Sequence, residues 1–516
     1  MDLVKKIGQL FFVGIEGKQL DLQSRHILRT ISPGGIILFE RNIESPSALF
    51  QLCQHLRAEL PNIPFIGIDA EGGTVDRLRN ISPRLAPAMA LGATDNEIFS
   101  FRQGQLTGKL LFILGMNLNF APVVDLASGS SANGIGTRSY GSFSPLVIKM
   151  GRGYIRGLSQ QGIISVIKHF PGMGQSPADP HYQLPKIVKS EKKLWENDIR
   201  VFDALKESTN IIMVAHLLYP SLDKEILLPA SLSFKVINGL LRKKMGYKNI
   251  VITDDLEMGA ITQGFEVNEA ALKSLQAGAD MLLICHSYDK MLSAYNYLLQ
   301  AVERGEISDV RVDSSVNRIL NIKSQLEKQA QSFSLDEFNK VCQQMEELSQ
   351  VLAENALTEI RRKKNSILSS NEEVTIFYPK PKINSSTERA DIATILRREY
   401  GQFLPDLNLA PYDPDKPKLK KEEAAKQQTA IILSHNAHLF PNLPGFFKQI
   451  TGEYEKVYFL SLNFPADLKI IKANAALALY TDSVPFLKTA LLILLGRLKP
   501  RGKLPIDKKL LSSSSL

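Results

Sequence analysis

Lys168-His169-Phe170-Pro171-Gly172-Met173-Gly174 follows the apolar run 163–167, and Asp179-Pro180-His181 comes shortly after it. The apolar run predicts a buried parallel strand, and the Gly/Pro-rich residues predict a turn at the mouth of a sheet. An imidazole two residues from a carboxylate on such a loop can be oriented and made more basic by it. The alternative is a solvated loop that happens to contain Asp and His, so the rest of the chain has to distinguish the two.

Short apolar runs recur through the first part of the chain, and each ends in Gly or a polar residue. Stretches with helical periodicity, such as 47–60 and 234–244, lie between these runs. Strands that alternate with helices in this way predict an α/β fold, a (β/α)8 TIM-type barrel over residues 1–330. The predicted strands are 10–15, 35–39, 65–69, 118–125, 164–170, 211–216, 250–255 and 281–286.

Polar residues lie at or just past the carboxyl ends of these predicted strands. In a parallel barrel these ends converge on one mouth, where active sites form. One polar strand end is compatible with chance, whereas a whole set indicates a functional face. The residues are Glu71, Asp125, His169, His216, Asp254 and His286.

The later part of the chain has a different pattern. A helical pattern through residue 357 predicts a helical linker, 331–368, and Ser369-Ser370-Asn371 predicts a boundary. Residues 369–516 are predicted to form a smaller α/β sandwich with strands at 374–378, 430–433, 457–462 and 476–480. A Pro- and Lys-rich loop is expected at 411–421, and a disordered tail at 512–515.

Composition excludes some functional classes and disfavours others. The 516 residues include 62 basic and 53 acidic side chains, for a net charge of +9. The basic clusters 361–364 and 418–421 lack interleaved aromatic residues, so nucleic-acid binding is weakly supported. No stretch approaches the roughly 20 apolar residues that a membrane span needs. We therefore expect neither a nucleic-acid partner nor a membrane partner.

Cysteine spacing and the first residues of the chain suggest where the protein works. Cys53, Cys285 and Cys342 are isolated, without the spacing of a metal site or a disulfide framework. The chain enters an amphipathic segment at once, without the hydrophobic stretch of a signal peptide. These features favour a reducing, cytoplasmic location. Metal-ligand spacing and a Gly-rich phosphate loop are also missing, so we expect no metal and no cofactor.

Three further stretches carry groups suited to sugar chemistry. Asp254 follows the apolar strand residues 250–252, where a rigidly aimed carboxylate suits a nucleophile, and a cap of the next helix is the alternative. Residues 68–78, Ile-Asp-Ala-Glu-Gly-Gly-Thr-Val-Asp-Arg-Leu, place carboxylates and an arginine around a Gly-Gly turn. Such acceptors and forked donors are suited to binding sugar hydroxyls. Residues 136–141, Gly-Thr-Arg-Ser-Tyr-Gly, supply another arginine.

Taken together, these motifs resemble glycoside hydrolase family 3, and within it the β-N-acetylglucosaminidases of the muropeptide-recycling type. That group carries a Lys-His-Phe-Pro-Gly-x-Gly loop with a following Asp-x-His, an Asp-Asp-Leu-x-Met segment, a Glu-Gly-Gly turn and an Ile-Gly-x-Arg-Ser stretch. The resemblance runs from about residue 5 to 330, and it includes Pro-Ala-Ser-Leu-Ser at 229–233. Gly-Lys-Leu-Pro at 502–505 resembles the end of the family's second, α/β-sandwich domain.

The resemblance implies a role for each matching residue. Asp254 would be the nucleophile of a retaining exo-β-N-acetylglucosaminidase, and His181 the general acid/base with Asp179 as its dyad partner. Muropeptides or similar β-linked glycans would be the substrates, without a cofactor, and the oligomeric state stays open. Terminal N-acetylglucosamine would be held by Asp69, Arg77, Arg138, Lys168 and His169.

Two departures from the family pattern keep alternatives open. Met173 stands where this group usually has histidine, and Pro180 stands where a small hydroxyl residue is usual. Pro180 fixes its own φ and restricts the backbone of Asp179, so it stiffens the loop that carries His181. We therefore hypothesise that the enzyme turns over its substrate more slowly. The alternatives are a family 3 β-glucosidase, a glycoside phosphorylase and an inactive sugar-binding homologue. The phosphorylase is considered because an uncharged histidine acid/base would not repel phosphate.

Overall fold

The computed structural model describes residues 1–225, 227–326, 332–364, 366–380, 392–419 and 428–511. The chain forms two compact units. The first comprises Met1–Leu85, Glu97–Leu126 and Val147–Glu346, and the second comprises Ala86–Asn96, Ala127–Leu146 and Glu347–Leu516. Two internal segments, 86–96 and 127–146, therefore group with the carboxyl-terminal part of the chain.

The first unit contains a closed barrel of eight parallel strands, which confirms the predicted fold class. Its strands follow one another around the ring in chain order, and the last strand pairs with the first. Each predicted run contains one strand. The strands are β1 (Phe11–Gly14), β2 (Gly35–Leu38), β3 (Phe65–Ile68), β4 (Leu118–Asn119), β5 (Ile164–Phe170), β6 (Ile211–Val214), β7 (Ile250–Asp255) and β8 (Met281–Ile284).

β4 is much shorter than the predicted run 118–125. Pro122 has no backbone N–H to donate to a sheet ladder, so regular pairing stops before it. Beyond the proline, the chain still runs beside β5, because the Val124 N–H donates to the Lys168 carbonyl at 2.9 Å. The polar residues after β4 are thus kept at the mouth of the barrel without a continuous strand.

Aromatic side chains fill the barrel interior where glycine leaves room for them. The Phe12 ring packs edge-on against Phe120, with 5.2 Å between centroids, and stacks with Phe65 at 6.5 Å. A Cβ at Gly35 would come within 2.4 Å of the Phe12 ring, so only glycine fits beside it. This close packing makes the barrel a filled core, with space for chemistry only at its mouth.

Several of the helices of this part of the chain begin with side-chain caps. Ser45 accepts the Ala48 N–H at 3.2 Å and Pro46 occupies the first turn, which together start the helix predicted at 47–60. The helices are Leu3–Gln9, Leu22–Ile31, Pro46–Glu59, Glu97–Ile113, Ser144–Ser159, Glu191–Leu194, Arg200–Leu205, Gly259–Thr262, Val267–Ala277, Tyr288–Glu303, Asp309–Lys323 and Leu335–Ala356, with π-helical turns at Trp195–Ile199 and Lys235–Lys244.

The second unit contains a six-stranded sheet. Its strands are β9 (Thr358–Arg362), β10 (Val374–Pro379), β11 (Leu407–Tyr412), β12 (Thr429–Ser434), β13 (Lys456–Ser461) and β14 (Ala475–Ala478). They lie in the order β9-β14-β13-β12-β10-β11, and all neighbours are parallel except β9 and β14, which pair in the antiparallel sense. The helices of this unit are Ala88–Thr94, Ile392–Tyr400, Leu443–Glu453 and Val484–Leu494.

The two edge strands of this sheet differ from the expectation. β9 lies inside the segment predicted as a helical linker, and β11 takes the first two residues of the loop predicted at 411–421. Both strands are mostly half-exposed, so they lack the continuous apolar run of a buried strand. Residues 420 and 421 of that loop, and the predicted tail 512–515, lie outside the described residues. Within the described chain, no helix is both long and apolar enough to cross a membrane.

Candidate active site

The mouth of the barrel brings together a buried cluster of opposite charges. The Lys168 ammonium, at the end of β5, lies 2.7 Å from Asp69 Oδ1 and 2.7 Å from Glu71 Oε1. Its side chain is only 4% exposed. Arg77 approaches the other oxygen of Asp69 at 4.0 Å. Asp69, Arg77 and Lys168 are thus neighbours, and Glu71 joins them although the family resemblance assigned it no role of its own.

A short hairpin after β3 positions this cluster. Residues Ala70–Gly72 pair antiparallel with Val75–Asp76, and Gly72 and Gly73 both have positive φ, at 86° and 64°. Non-glycine residues rarely adopt that conformation, which explains the Gly-Gly in the sequence. The Arg77 N–H then donates to the Asp69 carbonyl at 3.1 Å, which closes the turn and places the arginine beside the carboxylate.

Burial has an electrostatic consequence at the base of the hairpin. Asp76 is buried, and burial raises the pKa of its carboxyl to about 6, although the Leu78 N–H donates to it at 3.1 Å and Arg84 and Arg79 oppose the rise. A carboxylate loses more hydration on burial than these contacts restore. The hairpin that carries Arg77 therefore contains a group that titrates near neutral pH.

His169 is held by Asp125, the residue at the predicted end of the fourth run. Asp125 is buried, and its Oδ2 lies 2.7 Å from His169 Nδ1 and accepts the His169 backbone N–H at 3.1 Å. Its Oδ1 accepts the Met173 N–H at 2.7 Å. One carboxylate thus fixes both the ring of His169 and the start of the following loop. The sequence placed Asp125 at the functional face, but gave no sign of this role.

Asp254 lies near the end of β7, is half-buried, and accepts the N–H of Asp255 at 2.9 Å. Burial alone would raise its pKa, but the imidazoles of His169 and His216, the Asp255 N–H and the imidazole of His181 together lower the pKa below its ordinary value. Asp254 is therefore an ionised carboxylate at neutral pH, and cationic or polarisable groups from two other strand ends act on it. Such a group is available as a nucleophile.

His181 and Asp179 form a hydrogen-bonded pair on the loop after β5. The Nδ1 atom of His181 lies 2.7 Å from Asp179 Oδ1, which also accepts the His181 backbone N–H at 3.0 Å. The histidine side chain is 63% exposed and the aspartate 25%. Because Nδ1 faces the carboxylate, Asp179 orients the imidazole, as the aspartate of a serine-protease triad orients its histidine.

The tip of this loop is fastened to the segment that follows β7. The carbonyl of Pro180 accepts the Ala260 N–H at 3.1 Å, and that of His181 accepts the Gly259 N–H at 3.2 Å. The carbonyl of Tyr182 accepts the Gln263 side-chain amide at 2.6 Å. These donors include the first free N–H groups of the helix Gly259–Thr262. We call residues 180–182 with 259–263 the loop clamp.

The two departures from the family pattern have defined places. Met173 is buried, with 3% of the residue exposed, and its backbone N–H donates to Asp125 Oδ1. Pro180 is also buried, and its carbonyl belongs to the loop clamp. Neither residue removes a hydrogen bond from the His181–Asp179 pair.

The remaining strand-end histidines support the site from outside it. His216 is fully buried, with Nδ1 2.7 Å from Ser231 Oγ and Nε2 2.9 Å from the Asp255 carbonyl. Burial lowers its pKa, so it stays neutral, donates from Nε2 and accepts from Ser231. His286 lies 3.3 Å from Asp255 Oδ2, and the hydrogen bond to that carboxylate raises its pKa.

Glu257 joins the ends of β7 and β8. Its carboxylate accepts the backbone N–H groups of Cys285 at 3.0 Å, His286 at 2.6 Å and Ser287 at 3.2 Å. The side chain is 6% exposed and lies 3.4 Å from the Lys290 ammonium. Glu257 therefore holds the chain after β8 against the segment that carries Asp254.

Arg138 belongs to the second compact unit. It ends the turn Gly136–Arg138 and donates from Nη1 to the Gly134 carbonyl at 3.0 Å. Its sugar-binding role stays a prediction from the resemblance. Across the described part of the chain, no group of three or more His, Cys, Asp or Glu side chains is arranged to hold a metal ion.

Known proteins resemble this chain in both sequence and structure. β-Hexosaminidase A of Pseudoalteromonas piscicida is 28% identical over 431 residues, which cover 78% of this chain and 71% of the relative. A β-hexosaminidase of Tolumonas auensis is 36% identical over 279 residues, covering 53% of this chain and 81% of that protein. The solved structure of a glycoside hydrolase family 3 β-N-acetylglucosaminidase from Paenibacillus sp. str. FPU-7 superposes with a TM-score of 0.88, at 29% identity over 98% of this chain and 99% of that one.

The family match covers the barrel as a whole. The model of the Glycosyl hydrolase family 3 N terminal domain matches residues 2–322, which include β1–β8 and the loops that carry Asp254 and the His181–Asp179 pair. This span is more than half of the chain. The chain therefore belongs to glycosyl hydrolase family 3.

Proposed function

We propose that this glycoside hydrolase is a retaining exo-β-N-acetylglucosaminidase. Asp254 attacks the anomeric carbon and forms a covalent glycosyl intermediate, and His181, held by Asp179, protonates the leaving oxygen and later deprotonates water. The observation that carries the proposal is an ionised carboxylate at the end of β7 whose pKa is lowered in part by His181, a histidine that Asp179 holds in place. Retaining hydrolysis requires these two functions on either side of the scissile bond.

We assign recognition of the terminal sugar to the charged cluster of Asp69, Arg77 and Lys168. The carboxylate of Asp69 lies 2.7 Å from the Lys168 ammonium and 4.0 Å from the Arg77 guanidinium, and such acceptors and cationic donors suit vicinal hydroxyl groups. His169 and Arg138 complete the proposed binding set on the strength of the family motifs. N-Acetylglucosamine as the sugar is supported by the names of the relatives, and muropeptides as natural substrates by the family resemblance.

A histidine in this role has a physical advantage. Its ordinary pKa of about 6.5 lies near working pH, so an imidazole can both give and take a proton without strong tuning. Asp179 keeps the ring in one orientation and stabilises the imidazolium that forms when it takes a proton. Slower turnover caused by Pro180 stays a hypothesis, and comparing the rates of Pro180→Ser and the parent tests it.

The test begins with nitrophenyl β-N-acetylglucosaminide and the matching β-glucoside. We expect hydrolysis of the first only, β as the configuration of the first-formed product by NMR, and loss of about a thousandfold or more in Asp254→Asn. Asp309→Asn, which changes an exposed carboxylate of the helix Asp309–Lys323, is the matched control and should keep parental rates. Preference for the glucoside, or an α product, would contradict the proposal.

The acid/base assignment has a sharper test. Nitrophenolate leaves without a proton, so in His181→Ala the glycosyl intermediate should form quickly but hydrolyse about a hundredfold more slowly. Added azide, which needs no base, should restore turnover and give the β-glycosyl azide. A variant that azide does not rescue would show that His181 has another role. Asp179→Asn should fall between the parent and His181→Ala.

A phosphorylase is the second candidate. The proposed acid/base is an imidazole, which, unlike a carboxylate, carries no negative charge that would repel an incoming phosphate. Repeating the hydrolysis in phosphate buffer and analysing the products separates the two activities. A sugar 1-phosphate as the main product would assign the chain to the phosphorylases. Free N-acetylglucosamine at all phosphate concentrations would assign it to the hydrolases.

A further inference from the structure

We propose that Tyr182 is the surface on which the leaving sugar of the substrate stacks, so that the enzyme selects glycosides whose leaving group is itself a pyranose. The inference rests on the proposed function, in which His181 protonates the glycosidic oxygen. It adds a specificity residue on the leaving-group side of the scissile bond, a side to which no residue has been assigned above.

The exposure of Tyr182 requires an explanation. Its side chain is 78% exposed, whereas Tyr140, Tyr154 and Tyr219 are almost fully buried. A tyrosine in a protein interior contributes packing, but one this exposed contributes little to folding. Aromatic rings that stay exposed beside a functional group commonly serve recognition, because they offer a large rigid surface with a polar end.

The backbone of Tyr182 is fixed even though its ring is exposed. Its N–H donates to the Asp179 carbonyl at 3.2 Å, and its carbonyl accepts the Gln263 amide at 2.6 Å. With the neighbouring carbonyls held by Gly259 and Ala260, the loop clamp leaves the side chain only its own two rotatable bonds. Such an anchored ring loses little conformational entropy when a ligand covers it.

The chemistry of the reaction places the leaving group beside this ring. A general acid must lie within about 2.6–3.2 Å of the oxygen it protonates, and the leaving sugar is bonded to that same oxygen. Adjacent Cα atoms are about 3.8 Å apart, so the ring of Tyr182 is within reach of a group held at His181. The terminal sugar, by contrast, is assigned to the buried Asp69–Lys168 cluster. The electron-rich face of a tyrosine attracts the polarised C–H groups of a pyranose face.

The experiment compares two substrates that differ only in the leaving group. N,N′-Diacetylchitobiose has a sugar leaving group, and methyl β-N-acetylglucosaminide has the smallest one available. Tyr182→Ala should lower kcat/KM for the disaccharide by about threefold to tenfold, and change the methyl glycoside by less than about twofold. Tyr182→Phe keeps the ring and should retain the parental preference. Val188→Ala, which alters a side chain of the same loop that is 86% exposed, is the matched control.

Three outcomes would overturn the inference. Equal losses on both substrates would mean that Tyr182 acts through His181 or through the loop, and unchanged rates on both would mean that the ring touches no substrate. Tyr182→Phe falling as far as Tyr182→Ala would assign the effect to the hydroxyl group and not to the ring face. A parent chain that cleaves neither substrate would overturn the proposed function itself, which distinguishes that failure from the failure of the Tyr182 assignment.

Discussion

Replacement of the buried Asp76 by asparagine should stabilise the barrel more strongly as the pH rises. The pKa of Asp76 is raised from 3.8 to about 6 in the folded protein. A raised carboxyl pKa means that the folded state favours the protonated form, so its contribution to stability is complete below pH 3.8 and disappears as the pH passes about 6. At pH 8, ionised Asp76 therefore lowers the free energy of unfolding by about 3 kcal/mol, from 2.2 pKa units at about 1.36 kcal/mol each.

The change between two accessible pH values is the quantity to measure. From the two pKa values, ionisation of Asp76 lowers the free energy of unfolding by about 1.6 kcal/mol at pH 5 and by about 3 kcal/mol at pH 8, a difference of about 1.4 kcal/mol. Asp76→Asn cannot ionise, so its stability relative to the parent should rise by that amount from pH 5 to pH 8. The amide of the variant will face the Leu85 N–H, which now donates to Asp76. That mismatch adds a constant cost and leaves the pH dependence unchanged.

Urea unfolding at pH 5 and pH 8 provides the assay. Trp195, the one tryptophan of the chain, lies in the first compact unit, so its fluorescence reports on unfolding of the barrel unit. Asp309→Asn serves as a control whose difference from the parent should be the same at both pH values. A flat difference for Asp76→Asn, or one that shrinks toward pH 8, would refute the assignment of a raised pKa to this residue.

Three further substitutions test the site and its support. Asp125→Asn should lower kcat by about tenfold to a hundredfold and stability by about 2 kcal/mol, because an amide cannot accept every N–H that the carboxylate accepts; kinetics and urea midpoints measure both, and parental values would contradict the role of Asp125. Gly259→Ala should lower kcat with little change in Tm, since a Cβ there would lie 2.7 Å from the His181 carbonyl; an unchanged kcat would show that the loop adapts freely. Burial lowers the pKa of Lys323 to about 7. Between pH 7 and pH 10 this lysine is therefore deprotonated in the folded chain but still protonated in the unfolded chain, so the stability of the parent should rise with pH over this range. Lys323→Met should be more stable by about 2–4 kcal/mol at pH 7 and gain less at pH 10 in the same urea assay, and an equal gain at both pH values would count against this pKa.

The barrel was predictable from sequence because its strands are buried on both faces. Parallel strands covered by helices read as continuous apolar runs, and each of the eight runs contained a strand. The hairpin Ala70–Gly72 with Val75–Asp76 and the edge strands β9 and β11 do not have such runs. Their pairing depends on turns and on strands far along the chain, and the short-range periodicity of apolar residues predicts neither.

The sequence singled out several residues that the structure brings into contact, but it did not indicate which of them contact each other. Strand ends pointed to Asp125 and Glu71, but their actual partners, His169 and Lys168, are set by the closing of the barrel. The same is true of the loop clamp, because residues 180–182 and 259–263 carry no complementary motif. Assignment of 127–146, with Arg138, to the second unit also depends on long-range packing.

The loop clamp also determines how this enzyme can be redesigned. Two of its three hydrogen bonds join backbone carbonyls to helix N–H groups and so depend on chain geometry, while the third uses the Gln263 side chain. The clamp should therefore tolerate point substitutions at 180–182 that keep the backbone, but not changes of length on either side or a side chain added at Gly259. A chimera that imports the loop carrying His181 from a relative would need residues 259–263 of the same donor, so the two stretches form one exchangeable cassette made of separate pieces of chain.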